Sequence, residues 1–321
     1  MNLSLYAYRF EFRALDAVRF APGSAANTFR GAFGSILKSI ACRPECDGTK
    51  SCAWRGQCSY ARLFEPVWPG GPSGFADAPR PFVIRASVLD GRSYSAGGCF
   101  SIDVHVFDLG APVLESLVLA FLRLGTEGIG VGRGRVELVR VHTLTVSREP
   151  GICVYESGLG LASQPGIPIE LPLAAQAEAP VDGTILRFVT PTELKSRGRV
   201  LESAPFGVVF ARAYDRVRTI SFLYNAARPE MNFYGMSERA AAIGTVSSTL
   251  QWVTVERRSS RTSQVHPLGG FVGEVRYAGD LREFLPILRA AYWTGIGRQT
   301  VWGKGVMDVV PLPQVAIISD R

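Results

Sequence analysis

Four of the six cysteines, Cys42, Cys46, Cys52 and Cys58, fall within one short segment that also holds Pro44, Gly48 and Gly56. Thiolates are natural ligands of Zn²⁺, which takes four of them tetrahedrally, and tight turns let closely spaced cysteines converge. The intervals of three, five and five residues are wider than paired CxxC knuckles, so disulfides or idle thiols also fit the spacing. A structural zinc is the expected occupant and an iron–sulfur cluster the second, because a cytoplasmic chain keeps few disulfides. Cys99 and Cys153 lie apart and read as small buried hydrophobes.

The basic residues offer a different chemistry. Lys and Arg number 35 against 28 acidic residues, for a net charge of +7, and only Lys38, Lys50, Lys195 and Lys304 are lysines. Guanidinium forks suit phosphate oxygens, although a GC-rich genome also enriches arginine. Arg257, Arg258 and Arg261, interleaved with Ser259, Ser260 and Ser263, could clamp an RNA backbone and its 2′-hydroxyls, or simply decorate a solvated hairpin. Arg212 and Arg216 stand four apart on a helix, with Asp215 near enough to neutralise them. Two Gly-rich runs, GIGVGRGR at 128–135 and GIGRQTVWGKG at 295–305, carry Arg133, Arg135, Arg298 and Lys304. Backbone N–H groups of Gly297, Thr300, Gly303 and Gly305 could meet phosphates, and tight helix-to-strand turns are the alternative use. Neither run is a nucleotide P-loop, since GxxxxGK[ST] is absent.

An internal repeat supplies the elements that must position these groups. In 3–13 the aromatics Tyr6, Tyr8, Phe10 and Phe12 alternate as a half-buried strand does. A helix over about 26–40 follows, apolar at Phe29, Phe33, Ile36, Leu37 and Ile40, with Arg30, Gly34 and Lys38 on its other side. Strands at 81–88 and 99–107, a helix at 111–124 and a strand to 144 give the order β-α-β-β-α-β. The second half repeats it: strand 184–190, helix 206–224, strands 250–257 and 271–277, a helix from Asp280 to about Trp293 that Pro286 should kink, and a strand through Val310. The fold class is therefore α+β, with tandem ferredoxin-like modules at 1–148 and 183–321, a Cys-rich insertion at about 42–66, and a Gly- and Pro-rich linker at 149–182.

At 321 residues and 47% hydrophobic content the chain can bury a large core, which excludes long disorder. No apolar run is long enough to span a membrane, and the N-terminus carries Arg9, Glu11 and Arg13 where a signal peptide needs an uncharged stretch. A cytoplasmic protein without a membrane partner is expected.

A duplicated ferredoxin-like chain with a Gly-rich loop before each last strand resembles the RAMP superfamily of CRISPR-associated proteins. TPTELKSRGR at 190–199, RRSSR at 257–261, HPLGGFVGEVRYAGDL at 266–281 and the second Gly-rich run resemble the C-terminal region of the endoribonucleases that process precursor CRISPR RNA. FRGAFG at 29–34 and CSYARLFEP at 58–66 resemble their N-terminal region. The resemblance implies binding of a CRISPR repeat hairpin and metal-independent cleavage, in which a 2′-hydroxyl attacks the adjacent phosphate. Arg30, Arg133, Arg135, Arg212, Arg216, Arg257, Arg258, Arg261 and Arg298 are the expected RNA contacts. Of the three histidines, His105 and His142 lie in strands, which leaves His266 as the candidate proton carrier, with Lys304 or Lys38 stabilising the phosphorane. The sequence departs from the family by having no histidine on the first helix or before the last Gly-rich loop. A non-catalytic guide-RNA-binding subunit, associated with other CRISPR effector subunits, is the alternative.

Overall fold

A computed structural model describes residues 2–42, 45–46, 52–68, 78–110, 113–175, 181–225, 233–254, 256–258, 265–267 and 269–312. Its first strand, β1 (Asn2–Ala14), changes the face it buries along its length. Tyr8, Phe10 and Phe12 enter one core with Phe29, Phe100 and Phe121, whereas Leu3, Leu5 and Ala7, of opposite parity, enter a second core. Side chains alternate across a strand, so β1 is covered on one side by its own module and on the other by the second half of the chain.

The helix α1 (Ala25–Ala41) lays Phe29, Phe33, Ile36 and Leu37 on the first core. With α2 (Ser59–Phe64), β2 (Phe82–Arg85), β3 (Cys99–Val106), α3 (Val113–Glu127) and β4 (Val136–Leu144) it completes the first module. The antiparallel sheet order β2-β3-β1-β4 is that of a ferredoxin-like unit. Within the stretch 149–182, expected as a linker, short strands instead extend this sheet. β5 (Pro150–Glu156) pairs with β4, and β6 (Ile169–Pro172) pairs with the first residues of β1. Their Gly and Pro content marks turns around short strands.

The second module contains β7 (Gly183–Thr192), α4 (Phe206–Tyr224), α5 (Phe233–Ala242), β8 (Gly244–Ser248), β9 (Gln251–Val253), β10 (Glu256–Arg258), β11 (Val265–Pro267), β12 (Gly270–Ala278), α6 (Leu285–Thr294) and β13 (Met307–Pro311). Its sheet order, β8-β12-β7-β13, repeats the first, and β9 also pairs with β12. The strand expected over 250–257 is split: β9 stays on the sheet and β10 leaves it to pair with β11. Asp280 and Glu283, whose S/T/D-x-x-E spacing suits a capping box, do not cap the helix, because Asp280 accepts from Arg282 and Glu283 from Arg239. The helix starts at Leu285, so Pro286 occupies the first turn, where its missing N–H breaks no helical bond and causes no kink. No helix among the described residues is long and apolar enough to cross a membrane.

Candidate nucleic-acid interface

The last carbonyls of a helix lack intrahelical donors and carry the negative end of its dipole. At the end of α6 three of them point at the other elements of the seam. Arg85 Nη2 donates to the Tyr292 carbonyl at 2.6 Å, His105 Nδ1 to that of Trp293 at 2.9 Å, and Arg216 Nε to that of Thr294 at 3.4 Å. Burial lowers the pKa of both Arg85 and Arg216 to about 10 and that of His105 to about 3. His105 is therefore neutral, with its proton on Nδ1. Arg148 lies 3.6 Å from the Tyr292 ring centroid and gives two hydrogen bonds to Asp308, at 2.8 and 2.7 Å. Burial alone would raise the Asp308 carboxyl, but Arg148 more than offsets it and holds it below its usual range.

The second Gly-rich loop docks on the start of α1. Gly295, Gly297, Gln299, Gly303 and Gly305 all have positive φ, which lets the backbone fold against its neighbours. A Cβ on Gly303 would stand 2.2 Å from that of Ala26. Lys304, only 4% exposed, sends Nζ to the Gly23 carbonyl at 3.0 Å, while Asp90 accepts the Ala25 N–H at 2.8 Å. Burial lowers the Lys304 ammonium and raises the Asp90 carboxyl, and each partly offsets the shift of the other. Thr300 is buried, and Arg298 is exposed beside Glu193 at 2.8 Å. Gly303 and Lys304 thus serve the joint between modules, while the Ile296, Arg298 and Gly305 N–H groups donate to carbonyls within the second module.

The polar side of α1 is likewise engaged. The Arg30 guanidinium lies near the Phe64 and Trp302 rings, at 5.6 and 5.8 Å, and Lys38 Nζ lies 5.9 Å from the Tyr60 ring. Gly34 admits Phe64, whose ring a Cβ would meet at 2.7 Å. Arg62 secures α2 by two hydrogen bonds to Asp108. These ring and ion contacts, together with Arg85, Arg148, Asp90 and Asp308, join segments distant in sequence and leave no local spacing signal.

His266 falls on β11, directly opposite Arg257 of β10, and Val265 opposite Arg258. Arg261 lies outside the described residues. Arg212 is exposed and paired with Asp215, whereas Arg216 turns inward under α6, so the two do not form one RNA-facing pair. In the first Gly-rich loop Arg133 is exposed with φ 53°, and Arg135 is exposed but bound to Asp16 at 2.8 Å. His142 Nδ1 stands 3.6 Å from Glu11 on the sheet.

Cys42, Cys46, Cys52 and Cys58 are half-buried free thiols, and Cys42 hydrogen-bonds with Cys46. Cys99 and Cys153 are exposed, contrary to expectation, because both fall on the outer side of their strands.

Residues 186–307 match the family described as CRISPR-associated endoribonuclease Cas6, and residues 3–165 match the N-terminal domain family AF_1859_N. An uncharacterized protein of Archaeoglobus fulgidus is 25% identical over 284 residues, covering 87% of this chain and 88% of its own. Among solved structures, a Cas6 product complex has a TM-score of 0.53 at 17% identity, over 95% of this chain and 100% of that one. A Cas6 from Thermus thermophilus gives 0.50 at 16% identity, over 97% and 99%. A partial Cas6-RT-Cas1–Cas2 complex gives 0.57 at 12% identity, over 98% of this chain and 47% of that one. These structural likenesses show the fold.

Proposed function

We propose that the chain, of which residues 186–307 match the CRISPR-associated endoribonuclease Cas6 family, binds a repeat hairpin in precursor CRISPR RNA and cuts it without a catalytic metal. The upstream 2′-oxygen attacks the adjacent phosphorus while the bond to the 5′-oxygen breaks. The 2′-hydroxyl proton passes to a base, and an acid protonates the leaving 5′-oxygen, giving a 2′,3′-cyclic phosphate and a 5′-hydroxyl. The observation that carries the reading is the register of the β10–β11 hairpin, which sets His266 opposite Arg257 within the family-matched region. An unperturbed imidazole can move a proton at neutral pH, and arginine can stabilise charge on the phosphorane. Lys304, held at Gly23, acts as a joint residue, which leaves Lys38 and the arginines for electrostatic support. RNA partners, further CRISPR-associated subunits and a cytoplasmic location belong to the same reading.

Incubation of the purified protein with its repeat RNA in EDTA should yield one cut. A 2′-deoxy nucleotide upstream of the scissile phosphate should abolish it and spare binding. His266→Ala should slow cleavage by about 10²-fold with little change in affinity, and Arg257→Ala with Arg258→Ala should weaken binding by about 1 to 3 kcal/mol. Cleavage by His266→Ala at the wild-type rate would remove His266 from the mechanism. A second reading, a non-catalytic guide-RNA subunit, draws on the buried neutral state of His105 and the absence of histidine from α1. It takes over if the wild type binds its repeat tightly and never cuts it.

A further inference from the structure

We propose that Cys42, Cys46, Cys52 and Cys58 hold one structural Zn²⁺ that ties the end of α1 to the start of α2. Cys42 and Cys58 sit at the ends of two helices that already pack together, and Cys46 and Cys52 lie in the segment between them. Cys42 caps α1, its N–H donating to the Lys38 carbonyl at 2.9 Å. Cys58 precedes α2, and its carbonyl accepts the Arg62 N–H at 3.0 Å. Cys52 and Cys58 bracket one turn, in which the Arg55 N–H donates to Cys52 and the Cys58 N–H to Arg55. Across the gap the Cys42 thiol hydrogen-bonds with Cys46 and lies within electrostatic reach of Cys58 and Lys38.

The insertion also has a stability problem that a metal would solve. Among the described residues from 42 to 58 none is buried, so these residues add nothing to the core. α2 is held on the core by Ala61, Leu63 and Phe64 and by Arg62 on Asp108, an anchorage that does not extend back past Cys58. Small segments that cannot bury apolar surface commonly fold around a metal instead. Four thiolates around Zn²⁺ carry a net charge of about −2, and Lys38 stands close enough to Cys42 to offset part of it. The four thiols are half-buried while Cys99 and Cys153 are exposed, which separates the candidate ligands from the isolated cysteines. Among the described residues no three His, Cys, Asp or Glu side chains meet at coordination spacing.

The test is elemental analysis of the full-length protein, purified aerobically and anaerobically without chelator. About one zinc per chain is expected in both preparations, lost in Cys46→Ser and Cys52→Ser and retained in Cys99→Ser and Cys153→Ser. Should the serine variants fail to fold, titration of the wild type with a mercurial reagent reads the same site, since zinc should leave together with the modification of four protected thiols. Iron in place of zinc, a disulfide among the four in intact-mass analysis, or four freely reactive thiols with no metal would each overturn the proposal. Metal content and thiol protection do not depend on RNA cleavage, so failure here leaves the proposed function standing.

Discussion

His105 illustrates how a residue type can promise one chemistry and be given another. It lies on β3 with Nδ1 bound to the Trp293 carbonyl, and burial depresses its pKa to about 3 against an ordinary 6.5. The folded protein therefore keeps it neutral where the unfolded chain would protonate it. As pH falls below 6.5 the unfolded state binds one more proton than the folded state, so this contribution to stability, full above that pH, declines toward pH 3. Between pH 7.5 and 5.5 the loss is about 1.4 kcal/mol. Urea unfolding at these two pH values should show His105→Asn losing less on acidification than the wild type. Parallel losses would assign the acid sensitivity to other groups.

Among the elements, the two Gly-rich loops look alike in sequence and differ in what surrounds them. Gly132 has φ 88° with nothing within 4 Å of an added Cβ, whereas Gly303 has φ 79° and faces Ala26 at 2.2 Å. Alanine at Gly132 should cost only the left-handed backbone penalty, about 1 to 2 kcal/mol. Gly303→Ala adds a clash at the joint between modules and should cost about 2 to 4 kcal/mol in all. Equal losses in thermal or urea unfolding would show that the second loop does not dock tightly. The same loop makes the GKG lysine a structural residue, because its ammonium is directed at Gly23 and not outward.

At the scale of the whole molecule, the modules are joined by a shared core and a polar seam. Leu3, Leu5 and Ala7 of β1 lie in the core that also contains Phe206, Phe210 and Trp293. Arg148 and Asp308 bridge the seam while 41% and 25% exposed, so solvent screening limits the pair to about 1 kcal/mol. Arg148→Ala should cost more than Asp308→Asn, since only the first also loses the contact with Tyr292. A double-mutant cycle read by urea unfolding should give coupling that diminishes in high salt. Zero coupling would mean that the apolar core alone joins the modules.

Periodicity was enough to read the repeated β-α-β-β-α-β order, because each helix and central strand buries one regular stripe and the sequence must display it. Phe206–Tyr224 shows this directly: the stripe predicts the helix observed. The clustered cysteines and the arginine-serine run were equally legible as local patterns. Sequence could not reveal that Leu3, Leu5 and Ala7 face a second core, nor that Pro150–Glu156 and Ile169–Pro172 add strands to the first sheet, since those faces are defined by segments far along the chain. Nor could it separate Arg212, exposed to solvent, from Arg216, half-buried and turned toward the end of α6, four residues apart on one helix. Identity and spacing determined which groups the chain possesses. Only the packing of one module on the other decided which remain at the surface and which are desolvated into the joint, because desolvation depends on neighbours that sequence distance does not disclose.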